Sequence, residues 1–235
     1  IAVDIGNSGI KLGLFEGNTP KEVLTGVDLA TTKKLIRTHK GCGVVVSTVS
    51  GEAAEYSASL PDNTLFLSPE TPVPVKNKYH TPDSLGMDRL AAAVGGYCRN
   101  RGQNVLVIDL GTAINYEFID NRGNYWGGSI SPGLDMRYRA LNAFTAGLPL
   151  VDDQEEADLV GRTTRESIHS GVVNGISAEL TTIIDRYANM FGEVSVILCG
   201  GDAHLFESRL KAPIFVAPYL VLEGLNRILE YNEGH

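Results

Sequence analysis

Ile1-Ala2-Val3-Asp4-Ile5-Gly6-Asn7-Ser8-Gly9-Ile10-Lys11 opens the chain, and Val105-Leu106-Val107-Ile108-Asp109-Leu110-Gly111-Thr112-Ala113 repeats its grammar later on. Each stretch is an apolar run that ends on an aspartate, an apolar residue, a glycine and a small polar residue. A short, unbroken apolar run bounded by Gly and Asn reads as a buried strand entering a tight turn. The chain then returns, over 10–15 in the first case and 115–119 in the second. Two such hairpins in one chain point to an internal duplication.

The flanking sequence extends the repeat. A third strand over 22–27, a helix over 31–39, a strand over 43–47, a helix near 52–60 and a strand over 64–67 give the order βββαβαβ. In the second half the strands 105–109, 115–119 and 125–130 precede helices over 135–146 and 165–190. A strand over 194–198, a helix from Ala203, a short strand over 214–217 and a helix over 221–231 complete it. Pro69, Pro72 and Pro74 mark an extended crossover through 68–78. The division expected from this is 1–103 and 104–235.

Composition bounds the function. The chain has 235 residues, 43% of them hydrophobic, with 20 Lys and Arg against 28 Asp and Glu, a net charge of −8. An acidic surface repels phosphate backbones, so no nucleic acid partner is expected. The apolar runs fall well short of the roughly 20 residues that a membrane span needs, so no membrane partner is expected either. The opening on a strand-like segment argues against a targeting peptide. Cys42, Cys98 and Cys199 have no CxxC spacing and read as reduced core thiols in a cytoplasmic setting, and the histidines show no metal-ligand spacing.

Six segments carry candidate chemistry. In Asp4-Ile5-Gly6-Asn7-Ser8-Gly9-Ile10-Lys11 the glycines free the backbone N–H groups to form an anion nest. Lys11 can reach a phosphate, and Asp4 can hold a hydrated Mg²⁺. An ordinary hairpin turn is the alternative for this segment alone. Together with Asp109-Leu110-Gly111-Thr112-Ala113, it suggests two turns that grip the phosphates of one nucleotide. Cys199-Gly200-Gly201-Asp202 reads either as a surface for adenine or ribose, or as a plain strand-to-helix turn.

Leu85-Gly86-Met87-Asp88-Arg89 precedes an amphipathic helix over 90–101. Asp88 suits a first helical turn, where it complements the dipole, but Arg89 beside it does not. A cation there calls for an anionic ligand or a bidentate partner, and Asp88 becomes a candidate general base. Thr163 and Glu166 have capping-box spacing, which leaves the hydroxyl of Thr164 for a substrate. Gly171 and Gly175, one helical turn apart, allow close approach of another helix, within the subunit or across a dimer seam. Gly127 to Gly133 is a glycine-rich turn that can shape a substrate pocket.

This set resembles the type III pantothenate kinases. The resemblance rests on DIGNSGIK at 4–11, YHTPDSLGMDR at 79–89, DLGTA at 109–113, GGSISPG at 127–133, GRTTRESIHSG at 161–171 and CGGD at 199–202, in the family's order along nearly the whole chain. YxxPxxLGxDR is its most specific element, whereas DxGT turns are shared across the actin-like ATPases. The resemblance implies an α/β fold of two ribonuclease-H-like halves around a central nucleotide cleft, with Asp4 and Asp109 in equivalent places. It implies ATP-dependent phosphorylation of pantothenate on the way to coenzyme A, with Asp88 as catalytic base. Tyr79, Gly86, Met87, Asp88, Arg89 and Thr164 would contact pantothenate, Arg89 through the substrate carboxylate. Asp4, Ile5, Gly6, Asn7, Ser8, Gly9, Ile10, Lys11 and Thr112 would bind ATP. Asp109 would hold a monovalent cation, K⁺ or NH₄⁺, beside Mg²⁺ on the phosphates, and the chain would form a homodimer.

The sequence departs from the family pattern in three places: Ser8 for Thr, Asn115 and Glu117 for Thr and Asp, and Cys199 for Thr. The second departure bears on the cation site and the third on the adenosine contact. The rival readings are a kinase of the same superfold acting on another small alcohol, and a non-catalytic nucleotide-binding accessory factor.

Overall fold

The structure is a computed structural model, and it describes residues 1–6, 9–48, 60–152, 157–210 and 213–234. Asn7, Ser8 and most of the helix expected near 52–60 lie outside the described residues. Two sheets carry the fold. The first is five-stranded, ordered β3-β2-β1-β4-β5, from β1 (Ala2–Gly6), β2 (Gly9–Glu16), β3 (Thr19–Val27), β4 (Val45–Thr48) and β5 (Leu65–Phe66). The second is six-stranded, ordered β11-β10-β7-β8-β9-β6. It is built from β6 (Lys76–Asn77), β7 (Asn104–Leu110), β8 (Ala113–Ile119), β9 (Asn124–Pro132), β10 (Val194–Cys199) and β11 (Ile214–Val216).

Stripped of β6, the second order runs 9-8-7-10-11, the first sheet's 3-2-1-4-5 rewritten in later strands. β1 pairs antiparallel with β2 and parallel with β4, and β10 pairs parallel with β11. The duplication read from two turns is therefore a duplication of sheet topology. β6, which joins β9 in parallel through Lys76↔Asn124 and Asn77↔Tyr125, is an addition that the sequence pattern did not announce.

Six helices are described: α1 (Leu29–Thr38), α2 (Met87–Arg99), α3 (Leu134–Ala143), α4 (Thr164–Phe191), α5 (Ala203–Glu207) and α6 (Leu220–Glu233), with a 3₁₀ turn over Pro82–Ser84. None is long and apolar enough to cross a membrane. Asp28 caps α1 by accepting from the Thr31 amide at 2.7 Å, and Thr163 with Glu166 forms the expected capping box on α4. The helix expected over 90–101 begins earlier, at Met87, so Asp88 and Arg89 lie inside its first turn.

The chain forms two compact units. The first comprises Ile1–Val105, Glu117–Gly127 and Tyr219–His235, and the second Leu106–Tyr116 and Gly128–Pro218. In the first, Val3, Ile5, Ile10, Leu12 and Val46 make one core. Beside it α2 is buried without a break from Met87 to Gly96, apart from Asp88. Its small residues let α6 come close: a Cβ on Gly224 would sit 1.8 Å from the Ala91 carbonyl oxygen. In the second unit, Leu106, Ile108, Ile176, Leu180 and Leu198 pack between sheet and α4. Only Cys199 is a core thiol: Cys42 is exposed in the turn after α1 and Cys98 is half-buried.

Candidate active site

In the first unit, the β1–β2 register sets Asp4 opposite Lys11, Ile5 opposite Ile10 and Gly6 opposite Gly9. Residues directly opposite each other share a sheet face, so a buried carboxylate and a half-buried ammonium flank the turn. On the other side of β1, Ser47 of β4 is in register with Asp4. Gly9 has φ +120, a backbone that L side chains rarely adopt.

The first turn of α2 holds the second group of residues. Gly86 is its N-cap, and a Cβ there would lie 2.5 Å from Asp88 Oδ1, so the Asp88 carboxylate sits over the Gly86 backbone. Arg89, whose stem also passes Gly86, is 8% exposed. Its Nε donates to Glu117 Oε1 at 2.5 Å and its Nη2 to Glu117 Oε2 at 3.0 Å. The Tyr125 hydroxyl donates to Oε2 at 2.6 Å. The Tyr79 ring stacks near that of Tyr125 and lies 5.6 Å from the Arg89 guanidinium carbon. Gly127, at φ +87, leaves room for Tyr79, whose ring would stand 2.7 Å from a Cβ.

The charges follow from this burial. Desolvation pushes the Glu117 carboxyl up to about 7; Arg89 and the Tyr125 hydroxyl oppose the rise, and the charge of Asp88 adds to it. Desolvation works against the Arg89 cation, but Glu117 overrides it and holds the guanidinium pKa above its ordinary value. Burial, then the Glu117 charge, raises the Tyr125 hydroxyl. The bidentate partner that an Arg in a first helical turn calls for is therefore internal, on β8.

The second unit holds the other turn. Gly111 N–H donates to the Ala113 carbonyl at 3.1 Å, and Gly133 N–H to the Thr112 carbonyl at 3.1 Å. A Cβ on Gly133 would meet Gly111 O at 2.2 Å and Thr112 O at 2.5 Å. Gly200, at φ +89, lies as close on the other side: its Cβ would fall 2.4 Å from Asp109 Oδ1 and from Leu110 O. Gly133 of GGSISPG and Gly200 of CGGD thus serve as close-approach points around Asp109–Thr112. Burial raises the Asp202 carboxyl; His204 opposes the rise and Asp135 adds to it.

A polar cluster braces this arrangement. Glu179 of α4 accepts from Tyr116 Oη at 2.8 Å and Ser131 Oγ at 2.5 Å, and pairs with Arg137, whose Nε donates to the Pro132 carbonyl. Thr164, at the start of α4, is exposed. Neither Gly171 nor Gly175 has any atom within 4 Å of an added Cβ, so packing within the subunit does not account for them.

Sequence reading named Glu117 only as a departure bearing on the cation site, and missed Tyr125, Glu179 and Arg137. The signal for Glu117 was present: a Glu inside Ala-Ile-Asn-Tyr-Glu-Phe-Ile is a charge in a buried strand and must find a partner. Among the described residues no group of three or more His, Cys, Asp and Glu could hold a metal ion. A cation here would draw most of its ligands from water and phosphate, the usual habit of Mg²⁺ in phosphoryl-transfer sites.

The family model for "Type III pantothenate kinase" matches residues 1–186. A type III pantothenate kinase of Phocaeicola vulgatus is 42% identical over 238 residues, covering 99% of this chain and 98% of the relative. Among solved structures, a Campylobacter jejuni protein described as a Baf-family transcriptional activator has a TM-score of 0.66 at 19% identity, covering 100% of this chain and 99% of that one. The ROK hexokinase of Thermus thermophilus has a TM-score of 0.53 at 13% identity, covering 99% and 98%. At these identities the two structures speak for the fold alone, and the fold is the actin-like ATPase fold.

Proposed function

The chain belongs to the type III pantothenate kinase family, and from that premise we propose that it transfers the γ-phosphoryl group of ATP to the primary hydroxyl of pantothenate, the first step towards coenzyme A. The observation that carries the reading is the ordered first turn of α2, in which the Asp88 carboxylate is set over Gly86 and Arg89 is clamped by Glu117.

Phosphoryl transfer asks a protein for positioning and charge stabilisation more than for covalent chemistry. Asp88 accepts the hydroxyl proton. Tyr79, Gly86, Met87, Thr164 and the N–H groups of Arg89 not engaged by Glu117 contact pantothenate. Asp4 to Lys11 and Thr112 hold the nucleotide through backbone N–H groups and Lys11. Gly133 and Gly200, where a Cβ would collide with Asp109–Thr112, fit such a backbone cradle. Mg²⁺, when bound with the triphosphate, would neutralise developing charge, with Asp4 a candidate for a hydrated contact. Asp109 is our candidate for a K⁺ or NH₄⁺ ligand; full activity in sodium-only buffer would remove that assignment.

A homodimer accompanies this reading. Its support is the open face at Gly171 and Gly175 and the exposed apolar side chains Phe144, Leu159 and Val160, at 88%, 82% and 71% exposure. A chain that sediments as a monomer at micromolar concentration would contradict it. The segments 1–103 and 104–235 are proposed as the ancestral duplicated halves. A cytoplasmic location suits soluble substrates and free thiols.

The test is ADP release with and without pantothenate, across a panel of small alcohols, for wild type and Asp88→Asn. A positioned base contributes about 10²–10⁴-fold, so Asp88→Asn should lose that much kcat with its melting temperature little changed. ADP release indifferent to pantothenate would favour the accessory-factor reading, and release driven by a different alcohol would favour another substrate.

A further inference from the structure

The Arg89–Glu117 pair is hard to explain as a stabilising feature. Glu117 is 0% and Arg89 8% exposed. Taking two such charges out of water costs several kcal/mol each, and apolar replacements for a buried ion pair are often neutral or stabilising. Arg89 also stands in a first helical turn, where the dipole disfavours a cation. An arrangement expensive on both counts is better explained by the geometry it enforces.

That geometry is restrictive. The carboxylate takes two N–H bonds from the guanidinium fork on one edge and the Tyr125 hydroxyl on Oε2. The fork is planar, so two bonds fix its orientation as well as its distance. The Tyr79 ring lies alongside, 5.6 Å from the guanidinium carbon. The first turn of α2 is therefore bolted to β8 through a rigid side chain. Asp88 is the preceding residue in that turn, with its carboxylate over Gly86. A rotation of the turn that freed Arg89 would carry Asp88 with it.

We propose that Glu117 is a positioning residue for phosphoryl transfer: by clamping Arg89 it fixes the first turn of α2 and so sets where the Asp88 carboxylate meets the acceptor hydroxyl. The proposal rests on Asp88 being the base. Misplacing a reacting group by 1 Å can cost about 10²-fold, and Glu117→Gln replaces one acceptor oxygen with a donor that faces the guanidinium.

A double-mutant cycle on the full chain tests it, with kcat and the KM of each substrate measured well below each variant's melting temperature. Glu117→Gln should lower kcat by roughly 10- to 100-fold and leave the KM for ATP within about twofold. Glu117→Asp, which keeps the charge and both acceptors, should recover part of the loss. Tyr125→Phe, the milder change, should shift kcat in the same direction by less. The deciding measurement is Glu117→Gln in an Asp88→Asn background. If Glu117 acts through Asp88, its removal costs nothing further once the base is gone. Equal losses with and without Asp88 would overturn the proposal, as would a Glu117→Gln enzyme with wild-type kcat. Should Asp88→Asn itself keep most of its kcat, the reading beneath the proposal fails instead, which is a distinct result.

Discussion

Gly133→Ala tests how closely the second turn depends on its neighbour. Gly133 has φ −71 and ψ 179, a conformation open to alanine, so the substitution carries no backbone penalty and its effect is steric. The new Cβ would stand 2.2 Å from Gly111 O and 2.5 Å from Thr112 O, against an ordinary carbon–oxygen approach of about 3.3 Å. Both obstacles are backbone atoms, which cannot rotate aside. Either the Asp109–Thr112 turn or the start of α3 must move by about 1 Å, and overpacking of this kind costs about 1–3 kcal/mol. For a chain of this size that is a melting temperature lower by roughly 2–12 °C. Displacing a phosphate-binding turn by that distance should lower kcat/KM for ATP by about 10²-fold, while the KM for pantothenate moves less. Scanning calorimetry and the ADP-release assay with ATP varied read both effects. A variant with kinetic constants within twofold of wild type and an unchanged melting temperature would show that the turn adapts, and would refute the cradle argument.

Gly224→Ala probes packing instead: its Cβ would fall 1.8 Å from the Ala91 carbonyl oxygen, and a loss of about 1–3 kcal/mol in urea unfolding is expected. No change in the midpoint would mean that α2 and α6 part freely. Glu117 also makes a pH prediction. Its folded pKa, about 7, is raised above the ordinary 4.5, so its contribution to stability is fully present below about 4.5 and is lost as pH rises through about 7. Asp88, Arg89 and Tyr125 are the groups that bear on it. The stability of wild type relative to Glu117→Gln should therefore decline between about pH 5 and about pH 8, by at most about 3 kcal/mol; a flat difference would contradict the sign.

Much of the fold was legible from local pattern. An apolar run ending in Asp-x-Gly encodes a strand and its turn, and the period of the pattern is a property of neighbouring residues. For the same reason the capping box at Thr163 and Glu166 could be read directly, because a helix start satisfies its own N–H groups within one turn. The candidate site was legible as a set of motifs, each a short stretch with its own chemistry. β3 proved longer than expected, beginning at Thr19, because Pro20 and Lys21 sit at the end of an edge strand where the ladder tolerates them.

What only the tertiary structure decided was partnership between distant residues. The sequence asked for a counter-ion to Arg89 without naming it; the structure supplies Glu117, 28 positions away on another element. It packs α6, from the far end of the chain, against α2, and ties Asn226 to the Gly17 carbonyl across 209 positions. It also turns the glycines at 133 and 200 from flexible residues into points where two backbones meet. A buried charge or a missing Cβ states a need in the sequence. Which residue meets that need depends on how the strands are ordered in space, and that order is a property of the folded chain as a whole.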